Sequence, residues 1–174
     1  MPRCVTKWKP CPGTYKINTD ATIDVVGNLV GFGIVIRDSE GAVIGSCIQQ
    51  VLATYSPQVA ELVGIYRGLL FAYESGVLND VLESEAQLVV NWLNKGVSFL
   101  SEVGVILDDI YHLLGLLLSS SVCFVPRTAN QVAHQLAKMD LSSSTGLYWI
   151  EDFPPCVRLL VASECSEPLV LVSC

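Results

Sequence analysis

Four side chains in this sequence have the types and settings from which a reactive centre could be built. Asp20 lies in the alternating stretch YKINTDAT, and Glu61 lies in the helical pattern QVAELVGIYRGL. Glu85 closes VLESE, and His134 lies in RTANQVAHQLAK. Each has largely apolar neighbours. A carboxylate buried without a partner is costly and is driven to neutralise. Several that converge repel one another unless a cation sits among them. Hard divalent ions such as Mg2+ take oxygen ligands, keep some waters and suit phosphate chemistry. Simpler readings exist for each residue alone. Asp20 can accept local hydrogen bonds, and Glu61 and Glu85 can sit at helix starts, where the dipole favours an acid. Glu83 and Glu85, two apart in an extended chain, can line a solvated strand edge. A lone helical His can be a hydrogen-bonded structural residue. The readings separate on whether the four side chains meet.

The elements that would position them follow from periodicity. Tyr15–Thr22 alternates and reads as a strand, and two β-rich runs follow, split by the polar loop Asp38–Gly41. A loop ending in Gly between β-branched runs signals a hairpin. Ser56-Pro57 opens a helix, since Ser caps free N–H groups and Pro fits the first turn. Val59, Leu62, Val63, Tyr66, Leu69, Leu70 and Tyr73 continue it at helical spacing, and Gly76 stops it. Asp80–Ser84 reads as a short strand. A helix ending at Lys95-Gly96 follows, then one capped by Ser101, a strand at Val122–Val125 and a helix from Thr128 or Ala129 through Ala137. The order β-β-β-α-β-α-α-β-α predicts a mixed α/β fold. Its five-stranded sheet has three antiparallel then two parallel strands, with helices on both faces. Residues 1–14 read as an N-terminal arm, 15–141 as the domain, and 142–174 as a C-terminal segment that packs on it and ends in a tail. Gly31-Phe32-Gly33 is not a dinucleotide fingerprint, because a strand follows it; close packing or a bulge explains it.

The totals narrow the function. The chain has 174 residues, 51% hydrophobic and 16% charged, enough for the core of one ordinary domain. Its formal net charge is −7, so it does not attract phosphates at long range. Nucleic-acid contact would need a local basic patch or bound cations. Seven cysteines without a CxxC pair read as mostly reduced thiols. With no apolar leader in MPRCVTKWKPCPG, the expectation is an intracellular protein of the nucleus or cytoplasm. The greasy run IYHLLGLLL is too short to span a bilayer, so no membrane contact is expected.

Six motifs in order now carry a resemblance. WKPCPGTYKINTD, GFGIVIRD, Ala60-Glu61, Glu83-Ser84-Glu85, RTANQVAHQLA and WIEDFPP resemble the ribonuclease H-like superfamily. The branch they resemble is the plant reverse-transcriptase-like, type 1 ribonuclease H domain related to retroelement polyproteins. The resemblance implies a metal-dependent endonuclease that cuts the RNA strand of RNA–DNA hybrids with two Mg2+ or Mn2+ ions. It implies Asp20, Glu61 and Glu85 as metal ligands, with His134 as the fourth catalytic residue. Asn18, Ala21, Arg37, Arg127 and Asn130 are the expected nucleic-acid contacts, with Lys16 and Lys138 as further phosphate candidates. A monomer is expected.

Two residues depart from the family pattern. Glu85 stands where the family has Asp, and Ala21 where many members have Gly. The extra methylene of Glu85 is expected to weaken activity, and the Ala21 methyl to crowd the RNA strand. The alternative is a catalytically degenerate nucleic-acid-binding domain of retroelement origin. A third reading is an interaction module that docks a partner on the helix spanning Ile106–Leu118.

Overall fold

The computed structural model describes residues 11–119, 121–139 and 146–165. Most of the expected arm, including Trp8, and the tail beyond residue 165 lie outside these.

Strands β1 (Tyr15–Asp24), β2 (Leu29–Arg37) and β3 (Val43–Leu52) form an antiparallel meander. The first turn is held by Asp24 Oδ1, which accepts from the N–H groups of Val26 and Gly27. The second is held by Asp38 Oδ1, which accepts from Glu40 and Ala42, with Gly41 at φ 87° where a side chain would be strained. Helix α1 (Pro57–Glu74) starts as its sequence dictates, with the Val59 N–H donating to Ser56 Oγ at 3.3 Å. It ends at Ser75 and Gly76, the latter at φ 71°.

Strand β4 (Asp80–Ser84) returns parallel to β1, setting Asn18 beside Glu83 and Thr19 beside Ser84. Helices α2 (Gln87–Lys95) and α3 (Glu102–Leu117) lead to β5 (Ser121–Phe124), parallel to β4. A 3-10 turn at Arg127–Ala129 precedes α4 (Gln131–Ala137). The chain then adds β6 (Leu147–Ile150) and α5 (Arg158–Cys165).

Among the described residues the sheet runs β5-β4-β1-β2-β3-β6, six strands rather than the expected five. The sixth was hidden because LYWI is short and exposes Leu147, Tyr148 and Ile150, giving no alternation to read. Helices cover both faces. Ile17, Ile34, Leu62, Ile65, Leu69, Leu82, Leu107 and Ile110 fill the face under α1 to α3. Val35, Ile48, Val132, Leu136, Val157 and Val161 fill the face under α4 and α5. Among the described cysteines, Cys47 and Cys156 are free thiols, whereas Cys11 and Cys123 are disulfide-bonded. No helix among the described residues is long and apolar enough to cross a membrane.

The Gly-Phe-Gly run explains how α4 comes close. A Cβ on Gly33 would lie 2.0 Å from the Ala133 carbonyl oxygen, and one on Gly31 would lie 2.2 Å from that of Ala137. Both obstacles are backbone, so neither can step aside. Gly33→Ala is expected to lift α4 off the sheet and cost about 1–3 kcal/mol, the usual penalty for overpacking. Urea denaturation checks this; an unchanged midpoint would show that α4 is not seated through that glycine.

Candidate active site

The parallel pairing of β4 with β1 ends at Ser84 opposite Thr19. Asp20 is the next residue of β1, and Glu85 the first residue past β4. The site therefore lies where β4 stops and β1 continues, at a strand end of the kind that hosts sites in α/β sheets. Asp20 is buried, and its Oδ2 lies 2.7 Å from Nδ1 of His134 on α4. One ligand atom each from Asp20, Glu85 and His134 falls within 4.8 Å of the others. Glu61, on the first turns of α1, is outside that cluster but near enough to feel the charges of both Asp20 and Glu85. The four sequence-derived residues thus gather at one end of the sheet, from β1, α1, the β4 exit and α4.

Their electrostatics are those of crowded, buried carboxyls. Burial pushes the Glu61 carboxyl up to about 8, with Asp20 and Glu85 adding to the rise. Burial also lifts Asp20 to about 6, against the hydrogen bond from His134. The Ala21 backbone N–H steadies both carboxylates. Asp20 Oδ1 and Glu61 Oε2 are buried and have no hydrogen-bond partner. Orphaned acceptor oxygens on two crowded acids fit a hard divalent cation: oxygen donors suit it, and its charge would remove the repulsion that raises both pKa values.

A pH dependence follows. A carboxyl whose pKa rises on folding holds more protons when folded, so its contribution to stability is present at low pH and lost as pH climbs. For Glu61 the loss runs from the ordinary 4.5 to about 8. Without metal, the protein is expected to be less stable at pH 8 than at pH 5. Glu61→Gln is expected to flatten that difference, as read by urea midpoints at the two pH values; an undiminished difference would remove Glu61 as its source.

The expected nucleic-acid contacts divide sharply. Arg127 is exposed, and Ala21 is half-buried and packs against the Val30–Phe32–Ala60 cluster. Asn18 is buried, donating from Nδ2 to Glu83 Oε2 at 2.9 Å. Arg37 is buried and paired with Glu164 of α5 at 2.5 Å. Asn130 is buried and donates to the Thr19 carbonyl at 2.9 Å, which ties the start of α4 to β1 beside Asp20. Asn18, Arg37 and Asn130 are therefore held by protein partners; Asn130 adjoins Asp20 through Thr19, whereas Arg37 lies opposite Lys16, four residues along the strands from the Asp20–Gly33 pair. Lys16 is likewise buried, 3.1 Å from Glu83, leaving Lys138 exposed.

Sequence reasoning left Glu83 as a mere neighbour of Glu85. It is fully buried, its carboxyl raised by burial and opposed by Lys16 and Asn18. The missed signal was Lys16, Asn18 and Glu83 at alternate positions of two parallel apolar strands. A cavity of about 590 Å³ lies elsewhere, lined by Gln49, Arg67, Phe71, Tyr148 and others, and includes none of the three acids.

The family described as reverse transcriptase-like matches residues 18–140, a span that contains all four site residues. The chain belongs to the reverse transcriptase-like family. A relative named "Putative ribonuclease H protein" from Arabidopsis thaliana is 30% identical to this reverse transcriptase-like domain over 155 residues, 89% of the chain. The chain spans 25% of that relative's length.

Solved structures share the domain's ribonuclease H fold. The N-terminal ribonuclease H domain of Rv2228c from Mycobacterium tuberculosis superposes with a TM-score of 0.64 at 22% identity, covering 71% of this chain and 90% of that one. Ribonuclease H1 of Halobacterium salinarum gives 0.65 at 19% identity, covering 71% and 94%. LC11 ribonuclease H1, solved with an RNA/DNA hybrid, gives 0.62 at 19%, covering 70% and 92%.

Proposed function

We propose that this domain is a metal-dependent endonuclease of ribonuclease H type that hydrolyses the RNA strand of RNA–DNA hybrids, weakened by Glu85 in place of Asp. The observation that carries the proposal is the pair of buried, unpartnered oxygens on Asp20 and Glu61 beside the carboxylate of Glu85. The names of the relative and of the structural neighbours support the reaction class. In this reading Asp20, Glu61 and Glu85 hold two Mg2+ or Mn2+ ions. Such ions supply a water activated for in-line attack and charge stabilisation at the leaving 3′ oxygen.

The chain's own residues do the rest. His134 Nδ1 fixes the Asp20 carboxylate through Oδ2, leaving Oδ1 as the oxygen available to a metal ion. Asn130 anchors α4 to β1 and so fixes the His134–Asp20 distance. Arg127 offers its guanidinium to a phosphate at the solvent edge.

The second reading, a degenerate nucleic-acid-binding domain, is favoured by one observation: Glu85 is already engaged by Arg127. The two separate on incubating the purified protein with end-labelled RNA–DNA hybrid, first in Mg2+ and then in Mn2+. Cutting that disappears in Asp20→Asn and in EDTA supports the nuclease. Hybrid binding without cutting in either metal leaves the degenerate domain.

A further inference from the structure

Arg127 clasps Glu85 with a bidentate guanidinium fork. Arg127 Nε lies 3.1 Å from both carboxylate oxygens of Glu85, and Nη2 lies 2.6 Å from Oε1. The Arg127 side chain is 65% exposed and that of Glu85 only 12%, so the guanidinium sits over the carboxylate from the solvent side. The backbone beneath it is fixed: the Asn130 N–H donates to the Arg127 carbonyl at 3.0 Å, and the Asn130 side chain is bound to β1. Only the side chain is free to swing. A guanidinium fork fits a carboxylate and a phosphate equally well. An Asp at position 85 would be shorter by one carbon–carbon bond, about 1.5 Å, so its carboxylate would sit farther from the fork as placed here.

We propose that Arg127 is a switch between two partners: it covers Glu85 when no phosphate is bound and releases it when a nucleic-acid phosphate takes the guanidinium. This rests on the nuclease reading and adds to it a coupling. A divalent ion and a phosphate each remove the other's competitor, so each makes the other bind more tightly, and by the same factor.

The test reads metal binding rather than turnover. Mn2+ alone is titrated into the unaltered protein, Asp20→Asn, Arg127→Ala, Glu85→Gln and the Arg127→Ala/Glu85→Gln double variant, with free Mn2+ followed by electron paramagnetic resonance. Arg127→Ala is expected to tighten Mn2+ binding about 5-fold, the lower end of ordinary coupling because the pair is solvent-facing. In the Glu85→Gln background the same change is expected to do less than about 2-fold, since the competition needs the carboxylate. Hybrid binding in EDTA, followed by fluorescence anisotropy, is expected to weaken in Arg127→Ala, with a salt slope lower by about 1. Arg127→Gln repeats the set should the alanine variant melt early.

Mn2+ affinity that is unchanged or lower in Arg127→Ala overturns the switch. So does an equal gain in the Glu85→Gln background, which would mark a general field of the arginine. If the unaltered protein shows no Asp20-dependent Mn2+ binding, the nuclease reading fails and the switch with it; Asp20-dependent binding that Arg127→Ala leaves untouched defeats the switch alone.

Discussion

Asp20→Asn is expected to lower metal-dependent cutting of an RNA–DNA hybrid by about 1000-fold or more, since metal-borne charge stabilisation supplies several kcal/mol of the barrier. The substitution is nearly isosteric and removes a carboxyl that burial has already pushed to about 6. The fold is therefore expected to survive it, and at pH 8 to gain slightly in urea midpoint. That combination, a dead site in an intact domain, separates loss of a ligand from loss of structure. A rate unchanged in Asp20→Asn would mean that any observed cutting comes from another group or from a contaminant.

Glu85→Asp is expected to act in the opposite direction and raise the rate by about 100-fold. A misplacement near 1 Å at a reacting centre costs about that much, and the extra methylene of Glu85 introduces one of that size. Two effects combine in the substitution. The carboxylate is drawn back towards the end of β4, and the pairing with Arg127 is expected to loosen, leaving the guanidinium more available to phosphate. The gain is expected to be larger in Mg2+ than in Mn2+, because Mg2+ demands near-ideal octahedral geometry. Initial rates on labelled hybrid in each metal decide it. A fall in both metals would show that this site has adapted around the longer side chain.

The sequence exposed the parts of this molecule that are governed locally. Ser56-Pro57 and Gly76 bound α1 because capping and a positive φ are properties of a few adjacent residues. The meander was legible in β-branched alternation and in the Asp38–Gly41 loop. The convergence of Asp20, Glu61, Glu85 and His134 could be foreseen because strand order follows from the element order.

What stayed hidden depends on partners far apart in the chain. Asn18 and Arg37 look like polar residues available to a ligand, yet α4 and α5 close over that face of the sheet, and Glu83 and Glu164 wait there. Nothing within a window of β1 or β2 announces a partner 65 or 127 residues away. The Arg127–Glu85 pair was hidden for the same reason, across 42 residues. The β6 strand lacked any pattern because most of its side chains face solvent.

The centre of this reading is that Asp20, Glu61 and Glu85 together hold divalent ions. Crystals grown with Mn2+ and measured at the manganese absorption edge test it without recourse to activity. Anomalous peaks touching the Asp20 carboxylate and shared with Glu61 and Glu85 are the expected result. Manganese found only elsewhere on the surface, with Arg127 still clasping Glu85 and the Asp20 and Glu61 oxygens bare, would contradict it.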